Sequence, residues 1–365
     1  MKKTQQYLIS LLVLLFSYCG ISNATASDQI TLFIPAFEGP GELGKNVATI
    51  LNLRTWSTFR RKPWPNNPDN LDFGKGLVIW DPNPLQQQSH NDAERQAKEL
   101  SVLAQIVLWG KAYAYGDGVA VQANISIPRY RDFRQNQHER WQVSINGETL
   151  VADIPRRRFE VSSIILTQDI IREYSLPSSL KIYQKRRGGE AIATVGQSYM
   201  GIQFENQLGV VKIISGDKRG WVRLPLLAKQ KTVVSTFTGA LIKIFRSDWQ
   251  GALSAMQRVI DSENIRTPLK IDAHLYAGLA LEKMGKSGRH YFEQALALNA
   301  YASRTVRYLI MSDLALLEKM KTNNMAKQEI TAKIEKTKAL LSKNKKLFSA
   351  NDEWFQQAEQ IIHML

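Results

Sequence analysis

Two hydrophobic rhythms divide this chain. Up to about Leu227 apolar residues come in short β-rich runs cut by Gly, Pro and Asn, and from Thr232 they recur at three- and four-residue spacing. The run ITLFIPAF (Ile30 to Phe37) ends at Glu38-Gly39-Pro40-Gly41, after which Leu43, Val47, Ile50, Leu51 and Leu53 fall at helical spacing: strand, turn, helix. A polar insert with Pro63, Pro65 and Pro68 follows. Next come a second strand, GLVIWD, closing at Asp81, and a helix from Asn91 to Leu103. Ile106 to Trp109 opens a third strand, which runs through Tyr113 to a Gly116-Asp117-Gly118 turn and returns along Val119 to Ile127 as a hairpin. Strands alternating with helices predict an α/β sandwich over residues 27–128, with a partly parallel sheet that ends in an antiparallel hairpin.

Residues 129–177 read as a β-rich connecting segment. WQVSI and ETLVADI flank Asn146-Gly147, a strong hairpin signal because both residues tolerate the positive φ of a tight reversed turn. Over residues 178–229, LKIYQ, EAIATVG, YMGIQFE, LGVVKII and GWVRLPLL form five short runs with turns between, which predicts a small β-barrel. Strand signals then vanish. A boundary near Gln230 leads into helices over residues 230–320, and the lysine-rich helices of residues 321–365 are expected to cap them. The expected fold class is multidomain α+β: α/β sandwich, central barrel, all-α helical-repeat domain.

Three of these stretches resemble known families. LFIPAFEGPGELG with its helix, and LAQIVLWGKAYAYGDGVAVQANISIP, resemble the small amino-terminal α/β domain of the Tol-system protein TolB, over about Gln29 to Pro128; the proline-rich insert departs from that pattern. Ile182-Tyr183 and Gly220-Trp221-Val222 resemble the ends of a bacterial Src-homology-three-like barrel. Trp249, Ala252, Met256 and Val259, then Ala277-Gly278, Leu281, Phe292 and Ala295, match parts of the tetratricopeptide pattern, with Ala300 where that repeat usually carries proline. These resemblances imply an envelope protein made of binding modules.

The first residues carry an address. Lys2 and Lys3 precede an apolar run from Leu8 to Phe16, and Ala24-Thr25-Ala26 has small residues at signal-peptidase spacing, so residues 1–26 read as a signal peptide cleaved after Ala26. A lipoprotein reading through Cys19 is disfavoured, since Tyr18 stands where a small residue is needed. Cleavage removes the single cysteine, and with it disulfides and thiolate chemistry. Losing Lys2 and Lys3 lowers the formal charge from +15 to +13. In the cytoplasm such an excess would raise nucleic acid as a partner; in the periplasm, where this reading puts the chain, the polyanions are lipid headgroups, lipopolysaccharide and wall polymers.

Chemistry is harder to find. Gly39-Pro40-Gly41-Glu42-Leu43-Gly44 has the form of a dinucleotide fingerprint, but Glu42 would set a carboxylate beside the pyrophosphate, and Phe59-Arg60-Arg61 stands where an acid is needed. His90, His138, His274, His290 and His363 show no paired ligand spacing, so no metal and no cofactor is expected. Gly196-Gln197-Ser198 continues into Tyr199-Met200 and builds no nucleophile elbow. Asp72, Asp81, Asp92 and Glu94 could supply a carboxylate pair for glycoside cleavage, yet no signature joins two of them.

Basic residues interleaved with tryptophan are the remaining lead. Arg54, Trp56, Arg60, Arg61 and Trp64 cluster within eleven residues, where exposed indoles could anchor a contact or Trp56 could simply face the core. Arg156, Arg157 and Arg158, and Arg186 and Arg187, form two basic turns that could share one face and meet an anionic polymer. The expectation is a non-enzymatic envelope adaptor binding other proteins, with a helical groove for a partner's peptide; the alternatives are a peptidoglycan-binding protein acting through the barrel and an envelope hydrolase.

Overall fold

The structure, a computed structural model, describes residues 30–56, 76–100, 103–130, 140–161, 163–168, 171, 180–185, 188–195, 202–203, 210–215, 218–223, 232–263 and 265–365. The expected export segment lies outside them.

The amino-terminal half is an α/β layer arrangement. β1 (Ile30–Ala36) is the central strand, buried on both faces, and pairs in parallel with β2 (Gly76–Pro84) and β3 (Ile106–Tyr115). β3 turns at Gly116, whose φ of 52° needs glycine, into antiparallel β4 (Gly118–Ser126), as the hairpin signal predicted. β7 (Arg158–Glu160) and β8 (Ile164–Thr167) both run along the far edge of β4. Alternation along these strands sorts the side chains. Leu32, Ile34, Ile106, Leu108, Val119, Val121, Ile125 and Phe159 belong to the main core, which also holds Val47, Ile50 and Leu51 of α1 (Leu43–Trp56). Phe33, Val107 and Trp109 point to the opposite face and pack with Ala93 and Ala97 of α2 (His90–Glu99).

The runs expected to form a barrel become β9 (Leu180–Lys185), β10 (Gly188–Val195), β11 (Ile202–Gln203), β12 (Val210–Ser215) and β13 (Lys218–Arg223). They pair in the order β10-β9-β13-β12-β11, and β11 meets β2 at Ile202 and Val78, so the strands extend the central sheet. Among the described residues no pairing closes β10 on β11.

β5 (Arg140–Ile145) and β6 (Glu148–Asp153) form a separate two-stranded hairpin. Asn146 and Gly147 turn it with φ of 50° and 85°, the geometry their pairing in sequence predicted. Trp141, Val143, Ile145, Leu150 and Ala152 are buried, in strict alternation with exposed Gln142 and Ser144.

Helices occupy the rest: α3 (Val233–Phe245), α4 (Trp249–Ile260), α5 (Thr267–Lys283), α6 (Arg289–Leu298), α7 (Ser303–Thr322), α8 (Lys327–Asn344) and α9 (Glu353–His363). Thr232 and Ser235 form a reciprocal capping box at the start of α3, and Asp248 and Asp352 cap α4 and α9 through Gly251 N–H at 2.9 Å and Phe355 N–H at 3.0 Å. Each helix packs against the next, joined by short turns. Gly278 shows why small residues sit at these crossings. A Cβ there would come within 2.3 Å of the Phe292 ring, so only glycine lets α5 and α6 approach this closely.

α3 is buried almost throughout because it lies between α4 on one side and α1 of the sheet layer on the other. One continuous hydrophobic cluster therefore runs from Ile30 through Val234 to Ile362. The change of secondary structure near Gln230 is a boundary in the chain; the packing crosses it.

Candidate functional site

Alternate helices of a stacked array share one face, and here that face is α3, α5 and α7. In a helical-repeat protein it is where a partner's peptide would lie. In this chain residues 140–161 lie there. The Trp141 ring packs 6.1 Å from Phe292 and 5.7 Å from Tyr308, and Phe159 packs 5.0 Å from Phe237 and 6.1 Å from Tyr276, centroid to centroid. Two buried tyrosines read the backbone of the segment: the Tyr276 hydroxyl donates to the Arg156 carbonyl at 2.6 Å, and the Tyr308 hydroxyl donates to the Asp153 carbonyl. At the edges Lys283 donates to the Arg140 carbonyl, Lys321 to the Asn146 side chain, and Gln357 of α9 to the Thr149 carbonyl at 3.0 Å. Aromatic pockets joined to backbone hydrogen bonds are how a groove holds an extended strand. The groove exists, and the chain's own strand fills it.

Charge pins the same contact. Asp272 of α5, 2% exposed, accepts from Arg156 and from Arg304 of α7, each at 3.1 Å. Burial pushes its carboxyl up to about 6 despite the two guanidiniums, because removing an anion from water costs more here than these half-exposed cations return. A second buried acid, Asp313 of α7, accepts from Arg289 of α6, Lys333 of α8 and Thr337, and so ties three helices together. Nearby, Glu282 accepts from Ser312 at 2.6 Å and from the Gly288 N–H at 2.8 Å.

These contacts also locate the basic residues singled out in the sequence. Arg156 is spent on Asp272, Arg157 is half-buried, and Arg158 donates to Glu94 at 2.8 Å and Asn91 at 2.7 Å on α2. This basic turn joins three layers of the fold. Arg54 and Trp56 stand in the last turns of α1, while Arg60, Arg61 and Trp64, and Arg186 and Arg187, lie outside the described residues. Arg156, Asp272 and Arg304 come together only in the fold. With Arg156 and Asp272 116 positions apart, the sole local signal was an acid on the apolar side of a helix.

The most catalytic-looking cluster is Ser126, His90 and Trp109. Ser126 Oγ accepts from Trp109 Nε1 at 3.0 Å and shares a hydrogen bond of 2.8 Å with His90 Nδ1, whose direction the imidazole tautomer sets. Burial, then Arg158, lowers the pKa of His90, so the ring is neutral. A hydroxyl beside an imidazole is the pairing that activates a nucleophile, but Ser126 is 0% exposed beneath α2, out of reach of a substrate. It fastens α2 to the hairpin. Asp92, 4% exposed, is likewise engaged, accepting from the Gln87 N–H at 2.8 Å and from Arg95. Glu94 holds Arg158, and Asp81 accepts from Asn83. Asp72 lies outside the described residues.

The glycine-rich turn is structural too. A Cβ on Gly44 would sit 1.8 Å from the Phe37 carbonyl oxygen, and one on Gly39 would sit 2.7 Å from that of Ala112. The turn folds back on β1 and β3 and holds Glu38 against Lys111 at 2.8 Å. Among the described residues no group of three or more His, Cys, Asp or Glu could hold a metal, and no helix is long and apolar enough to cross a membrane. His274 is buried, its Nδ1 lacks a hydrogen-bond partner among the described residues, and burial followed by Lys270 and His290 depresses it to about 4.

Among the described residues, part of the sheet face that carries α2 stays uncovered. A ten-residue helix such as α2 spans about 15 Å and a ten-residue strand such as β3 about 33 Å, so α2 cannot cover the whole hairpin. Beyond its end Tyr113, Tyr115 and Ile165, cross-strand neighbours on β3 and β8 across Gly118 and Ala120, remain 46%, 61% and 62% exposed.

Fold and contacts together define a class: an α+β chain in which a mixed sheet and a helical stack are fused through a β-hairpin. No protein-family model matches the chain, and neither a curated protein nor a solved structure does.

Proposed function

We propose that this chain is an exported, non-enzymatic adaptor of the bacterial envelope that works by binding other proteins. The observation that carries the reading is how the chain's reactive-looking groups are used. Ser126, His90, Asp272 and Asp313 are each engaged in a contact that holds packed elements together, and Asp92 is engaged within its own helix and the turn before it, while Tyr113, Tyr115 and Ile165 are left in water side by side on one sheet face; Ile192, Leu298, Tyr301, Leu316, Met325 and Met364, also exposed, lie on other elements. Exposed tyrosines beside an isoleucine make a good contact surface, since they combine apolar area with hydrogen-bonding ends. Because residues 140–161 fill the helical groove, the partner surface falls on the uncovered half of the sheet, around Tyr113, Tyr115 and Ile165. The resemblance of Gln29 to Pro128 to the TolB amino-terminal domain supports the same reading.

Crosslinking in living cells followed by affinity purification from envelope extracts tests it. A stoichiometric partner is expected, and Tyr113→Ser with Ile165→Lys should abolish its recovery without altering the thermal melt. Absence of any partner, or full retention by that variant, removes the reading. The wall-binding alternative has less support, since Arg156 and Arg158 are committed to Asp272 and Glu94. Pelleting with purified sacculi that weakens as salt rises would restore it.

A further inference from the structure

Residues 319–346 hold nine lysines against two glutamates, which concentrates seven of the chain's fifteen excess positive charges into 28 residues. The fold divides those lysines by use. Lys333 turns inward to Asp313, Lys338 pairs with Glu335 at 3.1 Å, Lys345 with Glu359 at 3.2 Å, and Lys319 and Lys321 donate to the Gly285 carbonyl and the Asn146 side chain. Lys327, Lys336, Lys343 and Lys346 are exposed, and no carboxylate lies within ion-pair distance of them among the described residues; Lys327 stands at the start of α8, away from the other three.

Their placement is regular. α8 buries Ile334, Thr337 and Leu341 against its neighbours and leaves the opposite side in water. Lys336 and Lys343, seven positions apart, project along one line about 10 Å apart, and Lys346 follows within another turn. Beside them the exposed residues include the small Ala332, Ala339 and Ser342, together with Glu335, paired to Lys338, and Lys345, paired to Glu359. Glu329 in the first turn and Glu335 are the only carboxylates of the helix, and Glu335 is already paired.

We propose that this lysine stripe, formed by α8 and the 3-10 turn that follows it (Lys345–Leu347), is a docking surface for an anionic phospholipid bilayer, on which the helix lies flat without inserting. Its chemistry argues for that partner. The stripe is all lysine, a hydrated point charge suited to the diffuse potential of a phosphate-bearing plane, whereas bidentate capture of one phosphate would call for arginine. It carries no apolar anchor to enter the hydrocarbon, and no aromatic ring on which a nucleic-acid base could stack. This surface lies on a different element from the sheet face proposed for protein partners, and the two tests fail separately.

Flotation of the full chain with phosphatidylglycerol–phosphatidylcholine vesicles, against pure phosphatidylcholine, is the experiment. Binding to the anionic vesicles alone is expected, lost as salt rises because screening acts within about 8 Å at physiological ionic strength. The triple variant K336E/K343E/K346E should lose it, at roughly fivefold or more per lysine, and K336R/K343R/K346R should keep it. A control reversing Lys98, Lys181 and Lys286 makes the same change in net charge elsewhere and should bind nearly as the parent does, with circular dichroism showing all variants folded. Equal loss in the control would reduce the effect to overall charge and overturn the assignment. So would flotation with neutral vesicles, no flotation at all, or displacement by duplex DNA or an anionic polysaccharide that binds through the same lysines more tightly than vesicles do.

Discussion

His274 and Asp272 stand two positions apart on α5, and burial perturbs both, with opposite consequences. The folded chain holds His274 at about 4, below its ordinary 6.5, so the fold prefers the neutral ring. Its contribution is complete above pH 6.5 and is lost as pH falls toward 4. Asp272 is pushed up to about 6 from an ordinary 3.8, so the fold prefers the protonated acid, and that contribution grows as pH falls from about 6 toward 4. In the wild type the two partly cancel. Single variants separate them in urea titrations at a series of pH values. His274→Gln should gain on the wild type as pH falls from 7 to 4, by on the order of 2 kcal/mol. Asp272→Asn should lose ground over the same range. A pH-independent offset in either variant would mean that the buried group does not titrate there. Neither residue could be assigned this role from sequence. In sequence His274 showed only the absence of a second ligand at metal spacing, and the partner that buries against Asp272, Arg156, stands 116 positions away.

Among the elements, the β5–β6 hairpin does most to decide what the molecule can bind. Its alternation buries Trp141, Val143 and Ile145 on one side, and the helical stack covers that side. Trp141→Ala removes an indole that is 5% exposed and packed between Phe292 and Tyr308, and should cost about 3–5 kcal/mol in chemical denaturation. Trp141→Phe should cost much less. Hydrogen exchange should then show α3, α5 and α7 opening together with the hairpin; unchanged protection of those helices would mean the hairpin is a dispensable flap. The hairpin itself was legible, because Asn146-Gly147 between two alternating runs has few other solutions. Its docking partner was not, because the segment's apolar face states only that something must cover it. The short helix α2 follows the same logic: its existence was readable, but the sheet face left open beyond its end depends on strand length and register.

For the molecule as a whole, continuity of the core from Ile30 to Ile362 predicts that sheet and helices are one cooperative unit. Residues 27–230 expressed alone would expose the faces of α1 and Phe159 that α3 covers, and residues 232–365 alone would expose Phe237, Tyr276 and Tyr308. Each piece is expected to bind a hydrophobic dye and to melt without a sharp transition, and co-refolding the two should restore a single transition. Two independent, sharp transitions from the separate pieces would refute this.

What the sequence determined by itself is local: the strand, turn and helix order of residues 30–127, the Asn-Gly hairpin, and the switch to helices after Gln230. Periodicity, glycine and capping residues fix such features because they depend on neighbours within a few positions. Tertiary structure alone decided that residues 140–161 fill the helical groove, that Arg156 meets Asp272 and Arg304, that Ser126 is sealed beneath α2, and that three lysines of α8 and the turn after it are left facing water. Each of these is a choice of partner between segments far apart in the chain. Apolar pattern gives every segment a face to bury, and only the competition of all those faces for cover settles which meets which.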